Sequence, residues 1–114
     1  MRRKSKAWGA PIQREVKSRL TTLLVHLLKR RYQAEKRSDS WADTIARERM
    51  EIPFILEQSP RLAAFAEAVF GEAHRLARSE AARQTRLALR QLPPESPFAM
   101  DDALDPDFWP GGPG

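Results

Sequence analysis

The chain has 114 residues with 20 Lys and Arg, 15 Asp and Glu and no Cys, which gives a formal net charge of +5. This length suits a single domain, and the absence of cysteine excludes disulfides, thiolate metal sites and cysteine nucleophiles. The main apolar run, Leu20 to Leu28, is far shorter than the roughly 20 residues that span a bilayer. We therefore expect a soluble protein, and the lack of cysteine favours a reducing cytoplasm.

The charges are distributed unevenly along the chain. Residues 1–37 carry 12 Lys and Arg against two Glu, a net charge of +10. Residues 38–90 carry eight charges of each sign, and residues 91–114 carry five Asp and Glu, a net charge of −5. A basic head and an acidic tail could pair within one chain or between two chains, or the head could bind an outside polyanion.

The first predicted helix runs from about Pro11 to Ala34 and follows a basic arm, residues 1–10, that we expect to be disordered. Proline suits the first turn of a helix. Apolar residues recur at the i, i+3, i+4, i+7 spacing of a helix with a broad buried face: Val16, Leu20, Leu23, Leu24, Leu27 and Leu28. We interpret this segment as the central helix of the fold.

The second predicted helix runs from Trp41 to about Gln58, with Ser40 and Asp43 as a capping pair. Its expected inward residues are Trp41, Ile45, Ile52, Ile55 and Leu56. Glu48 and Arg49 interrupt this stripe. Pro53 lies inside it and predicts a kink near residues 49–53.

The third predicted helix begins at Ser59 and Pro60, a cap residue followed by proline at the first helical position. It ends at about Ala82. Its expected inward residues are Leu62, Phe65, Ala66, Val69, Ala73 and Leu76.

Pro93 and Pro94 end helical structure. Ser96 and Pro97 then predict a short helix from about Phe98 to Leu104. Phe108 and Trp109 are expected to anchor an irregular tail, and residues 110–114, rich in glycine and proline, are expected to be flexible.

Together these elements predict one all-α domain over residues 11–109. The architecture is a small antiparallel bundle of three main helices plus a short C-terminal helix and an irregular tail. The residues expected to hold it together are Leu20, Leu24, Leu27, Trp41, Ile45, Leu62, Phe65, Val69 and Trp109.

The side chains that could carry chemistry form no recognisable site. His26 and His74 could bind a metal between the first and third helices, but the sequence has no HxxxH pair and no carboxylates at ligand spacing. The aspartates at 101, 102, 105 and 107 lack the glycine and closing glutamate of a calcium loop. No serine lies in a glycine-flanked elbow. We predict no catalytic, cofactor-binding or metal-binding residue, and a protein that is not an enzyme.

Several stretches resemble a bacterial family known as domain-of-unknown-function family 29, DUF29. They are Leu24-Val25-His26-Leu27-Leu28-Lys29, Ser38-Asp39-Ser40-Trp41, Leu56-Glu57-Gln58-Ser59-Pro60 and Asp105-Pro106-Asp107-Phe108-Trp109-Pro110. Order and spacing agree from about Gln13 to Pro110. The resemblance implies an all-helical bundle without an assigned activity. Family members usually carry an acidic amphipathic N-terminal segment that residues 1–11 do not match, so we expect apolar surface on the central helix to be uncovered.

These features favour a protein–protein interaction module, and we expect a protein partner or a homodimer. In the dimer hypothesis, a second chain covers the Leu20–Leu28 face through an isologous contact, and replacing Leu24 or Leu28 with Lys gives a folded monomer.

The alternative is non-specific nucleic-acid binding through the basic arm and the first helix. The candidate phosphate-binding residues are Arg2, Arg3, Lys4, Lys6, Lys29, Arg30, Arg31, Lys36 and Arg37, with Trp8 and Tyr32 available for stacking on bases. The first helix is amphipathic and basic, as membrane-surface helices are. Its apolar face is needed for the core, however, so we expect no membrane partner.

Overall fold

The computed structural model describes residues 10–36 and 38–110, which form four α-helices. These are α1 (Ala10–Tyr32), α2 (Asp39–Leu56), α3 (Pro60–Thr85) and α4 (Met100–Leu104), with short 3-10 turns at Ala34–Lys36 and Leu89–Gln91. No strand occurs in the part of the chain that the structure describes. The predicted all-α bundle of three main helices and a short fourth is confirmed.

Helix α1 lies at the centre of the bundle and packs against each of the other three helices. Its leucine face is closed off from solvent: Leu20, Leu23, Leu24, Leu27 and Leu28 are all 0% exposed. Because the chain's own helices cover this face, the hypothesis that a second chain covers Leu20–Leu28 is wrong.

The bounds of α1 and α2 differ slightly from the predicted ones. Helix α1 includes Ala10, which was assigned to the arm, and it ends at Tyr32 rather than Ala34. The N-cap of α2 is Ser38, not Ser40, because the Ser38 hydroxyl accepts a hydrogen bond from the Trp41 amide at 3.3 Å. The helix continues past Pro53 to Leu56.

Helix α3 begins as predicted. The Ser59 hydroxyl accepts a hydrogen bond from the Arg61 amide at 3.1 Å, and Pro60 occupies the first helical position. The helix extends beyond Ala82 to Thr85 and ends where Arg86 adopts a left-handed conformation with φ of 63°. Such a residue is a common helix terminator.

Most of the residues expected to hold the bundle together do so. Five lie in the core and three more are half-buried against it: Leu20, Leu24, Leu27, Ile45 and Leu62, then Phe65, Val69 and Trp109. Trp41 is the exception. It is half-buried outside the core cluster, where the Lys29 Nζ lies 4.7 Å from its ring centroid.

The inward position predicted for Leu76 is wrong, since this side chain is 47% exposed. The buried face of α3 continues instead along Ala73, Ala77 and Ala81. These residues are spaced by four, so they form a continuous row that leaves Leu76 to one side.

The C-terminal segment is held by side-chain contacts rather than by a long helix. Helix α4 begins at Met100, two residues later than predicted, and Phe98 is buried outside it with its ring 5.8 Å from that of Phe108. Ser96 caps a turn, because its hydroxyl accepts a hydrogen bond from the Phe98 amide at 3.1 Å. Pro110 is buried, and residues 111–114 lie outside the described part.

Candidate interaction surface

Helix α2 presents apolar side chains on two opposite sides. Its inward side is formed by Ile45, Ile52 and Ile55, which are buried in the core. Met50 and Phe54 are one helical turn apart on the other side, because each residue advances the helix by about 100°. Met50 is 71% exposed and Phe54 is 64% exposed, so none of the residues that the structure describes covers either of them.

Charged residues continue this outward line in both directions. We call the exposed row of Asp43, Arg47, Met50, Phe54 and Glu57 the α2 stripe. Met50 and Phe54 are not among the residues that the sequence predicts to be functional. The signal that could have found them is an apolar pair at i and i+4 that is out of phase with the isoleucines of the same helix.

A buried ion pair fixes the inward side of α2 to α1. Glu48 accepts a hydrogen bond from Arg19 Nη1 at 2.9 Å, and the Glu48 side chain is almost fully buried. Arg19 also donates to Glu15 at 3.0 Å. The hydrogen bond to Glu48, followed by the one to Glu15, raises the pKa of Arg19. Glu48, which interrupts the apolar pattern of α2, is therefore a buried residue that is paired with an arginine.

Arg49 fixes α2 to the C-terminal segment. Its Nε donates to the carbonyl oxygen of Ala103 at 2.9 Å, and its Nη2 donates to that of Phe108 at 2.8 Å. The guanidinium carbon lies 5.1 Å from the Trp109 ring centroid, and that of Arg30 lies 4.8 Å from the same centroid. Burial lowers the pKa of Arg49. The contacts of Glu48 and Arg49 therefore hold α2 against α1 and the C-terminal segment, with its outward side exposed.

Leu76 and Leu89 also expose apolar surface, at 47% and 46%. Leu76 borders an open groove of about 360 Å³ between α1 and α3, and the other residues that line this groove are polar or charged. Leu89 lies in a 3-10 turn. Each is a single apolar side chain, as is common on protein surfaces; Met50 and Phe54 differ because they are adjacent.

Many cations of α1 are engaged inside the molecule. Lys17 Nζ donates to Glu72 at 2.6 Å, which lowers the pKa of that carboxyl group. Lys29 donates to Gln84 at 2.8 Å, and burial lowers its pKa. Arg31 and Lys36 are exposed. The arm residues and Arg37 proposed for phosphate binding, together with Trp8, lie outside the described residues.

The two histidines each contact a different part of the backbone. His26 Nδ1 lies 2.8 Å from the Thr22 carbonyl oxygen, and burial lowers the pKa of His26. His74 is buried in α3, with its Nε2 3.0 Å from the Pro93 carbonyl oxygen. No group of three or more His, Asp or Glu placed to hold a metal occurs within residues 10–36 and 38–110. The aspartates at 101, 102, 105 and 107 are exposed.

The fold and this surface define a small helical-bundle protein with an exposed apolar helix face. Among its described helices, none combines the length and apolar content needed to cross a membrane. The sequence matches the family described as domain of unknown function DUF29 over residues 6–109, and the chain belongs to this family. No curated protein and no solved structure shows a significant match to the chain.

Proposed function

We propose that this protein is a non-enzymatic protein–protein interaction module and that the α2 stripe is its binding surface. The observation that carries the proposal is the exposure of Met50 and Phe54, 71% and 64%, side by side on the outward face of a well-supported helix. Fully burying a side chain of this kind is favourable by about 1.5–3 kcal/mol before the costs of association are subtracted. Methionine and aromatic residues are enriched in protein interfaces.

The charged residues that flank Met50 and Phe54 can give the contact specificity in addition to affinity. Asp43, Arg47 and Glu57 are exposed next to the apolar pair, so the stripe has an apolar centre and a charged edge. Interfaces commonly have this organisation, in which the centre supplies affinity and the charged rim selects the partner.

The proposal that the protein is non-enzymatic rests on the side chains that are present. The chain has no cysteine, and each histidine has a ring nitrogen at hydrogen-bond distance from a backbone carbonyl oxygen. We place the protein in the bacterial cytoplasm as part of the same proposal, consistent with a cysteine-free chain.

Site-specific photocrosslinking tests the proposed surface. A photoreactive phenylalanine analogue would replace Phe54 in one protein and Leu76 in a matched control, and both would be expressed in the native host. We expect protein adducts from position 54 that are absent from position 76. Equal or no adducts from the two positions would contradict the proposal.

Non-specific nucleic-acid binding through the basic arm and α1 remains the second candidate. Its support is the net charge of +10 over residues 1–37. The internal contacts of Lys17, Arg19 and Lys29 count against the α1 part, because these cations are already paired or hydrogen-bonded. Titration of a labelled oligonucleotide would test it. This candidate predicts an affinity that falls steeply with salt.

A further inference from the structure

We propose that the occupant of the α2 stripe is a second copy of this chain, bound with the two α2 helices antiparallel about a twofold axis. This inference rests on the proposed function, because it names the partner of the same surface. It differs from a dimer through the leucine face of α1, which is buried within one copy.

The spacing of the stripe makes it complementary to itself. Consider a twofold axis that passes midway between Met50 and Phe54. It places each residue of one copy opposite the residue of the other copy that lies the same number of positions from the axis in the other direction. Met50 of one copy then faces Phe54 of the other. Arg47 lies three residues before Met50, and Glu57 lies three residues after Phe54. The same axis therefore places Arg47 opposite Glu57 twice.

The charges select this orientation over a parallel one. In a parallel pair related by a twofold axis, identical residues meet, so Arg47 would face Arg47 and Glu57 would face Glu57. Like charges placed opposite each other across an interface are unfavourable. In the antiparallel pair both contacts join opposite charges. Arg47 and Glu57 are exposed in the single chain. Arg47 Nη2 lies 4.0 Å from Glu48 of its own chain, which is a long ion pair, and its side chain is still 59% exposed, so both side chains are accessible to a partner.

The size of the contact predicts a reversible dimer. Each copy contributes one face of one helix, which corresponds to the small end of interface sizes rather than to an obligate dimer. We therefore expect dissociation on dilution. Because the two ion pairs lie at the exposed edge of the contact, salt should weaken the association.

Sedimentation velocity over a wide range of protein concentrations tests the proposal through charge reversal. We expect concentration-dependent dimers for the wild type and about tenfold or more weaker association for Arg47→Glu and for Glu57→Arg. An equimolar mixture of the two variants should recover the wild-type association, because each Arg47–Glu57 contact is then rebuilt with opposite charges. The double variant in one chain should also recover it.

The matched controls lie away from α2. Arg90→Glu reverses an exposed arginine in the turn after α3, and it should leave association unchanged. Phe54→Ser should abolish the dimer, whereas Leu76→Ser should not. Circular dichroism of each variant establishes that the helices are retained, so a loss of association is read as a loss of the interface.

Three results would overturn the inference. They are a wild type that stays monomeric at every concentration, a dimer that is unaffected by Arg47→Glu, and a mixture of the two single variants that does not recover association. The crosslinking experiment distinguishes a failure of the self-association inference from a failure of the proposed binding surface. If the wild type is monomeric and position 54 crosslinks to a different protein, the α2 stripe remains the binding surface and the self-association inference is wrong.

Discussion

The leucine face of α1 and the outward face of α2 are both apolar, yet their positions in the bundle give them opposite roles. The α1 face is the richer in leucine, and it is enclosed by α2, α3 and α4. The α2 face has only Met50 and Phe54, and both are largely exposed. Whether an apolar surface is available to a partner therefore depends on which side of the bundle it faces, and not on how many apolar residues it contains.

The largest expected difference in stability is between two variants that place a lysine either on the leucine face of α1 or on the outward face of α2. Leu24→Lys puts an ammonium group among fully buried side chains and should destabilise the protein by about 4 kcal/mol or more, a large part of the stability of a domain of this size. Phe54→Lys should change the free energy of unfolding by less than about 0.5 kcal/mol. Urea denaturation followed by circular dichroism measures both. A stable, folded Leu24→Lys monomer would contradict the assignment of this face to the core.

A second comparison uses two neighbouring arginines of α2, one on each side. Arg49→Ala leaves the carbonyl groups of Ala103 and Phe108 without their donor and should cost about 2 kcal/mol. Arg47→Ala should be close to neutral, because that side chain is 59% exposed and its ion pair with Glu48 is long, at 4.0 Å. Denaturation gives the two energies, and hydrogen exchange of the amides at residues 103–109 should accelerate only in the first variant. Equal effects would mean that Arg49 does not hold the tail.

The start of α2 provides a smaller test. Ser38→Ala removes the hydroxyl that accepts from the Trp41 amide and should cost about 1 kcal/mol. Ser40→Ala removes a hydroxyl whose contact is with the Ser38 side chain, 3.2 Å away, and should cost less. Thermal unfolding of the two variants compares them, and a larger loss for Ser40→Ala would restore the cap expected from the sequence.

The smallest expected effect is on the pH dependence of stability, and it comes from His26, which is half-buried at the edge of the α1 face. Burial lowers the pKa of His26 below its ordinary value of 6.5, so below that pH the unfolded chain binds the proton more readily than the folded chain. The free energy of unfolding should therefore decrease as the pH falls from about 7 through 6.5. His26→Gln should reduce this slope, because it removes one of the two histidines of the chain and carboxyl groups titrate lower, near about 4. An unchanged slope in unfolding measurements at several pH values would contradict desolvation of His26.

The sequence predicted the helices well because their signals are local. The periodicity of Leu20 to Leu28 and the Ser59–Pro60 cap depend on residues within a few turns of each other. In the sequence, Glu48 and Arg49 are visible only as interruptions of an apolar stripe. Their partners, Arg19 and the backbone of residues 103 and 108, are 29 or more residues away along the chain, and no local pattern predicts such pairings.

The candidate surface was predicted less well for a related reason. The sequence predicted a partner-binding surface but placed it on the most apolar helix, α1. Apolar content can be counted in a sequence, whereas the packing of the bundle cannot. Which side of α2 remains outside is decided by how α1 and the C-terminal segment pack against it. The sequence places Met50 and Phe54 on a different side of α2 from the isoleucines, but it does not say which of the two sides the bundle leaves exposed.

The contacts of Arg49 also bear on the order of events in folding. Phe108 lies 59 residues after Arg49, so this contact closes a long loop, and such contacts tend to form after the local ones. If it is absent from the folding transition state, Arg49→Ala will speed unfolding and leave the folding rate nearly unchanged. On this account, Arg49 governs how long the native state lasts more than how fast it is reached.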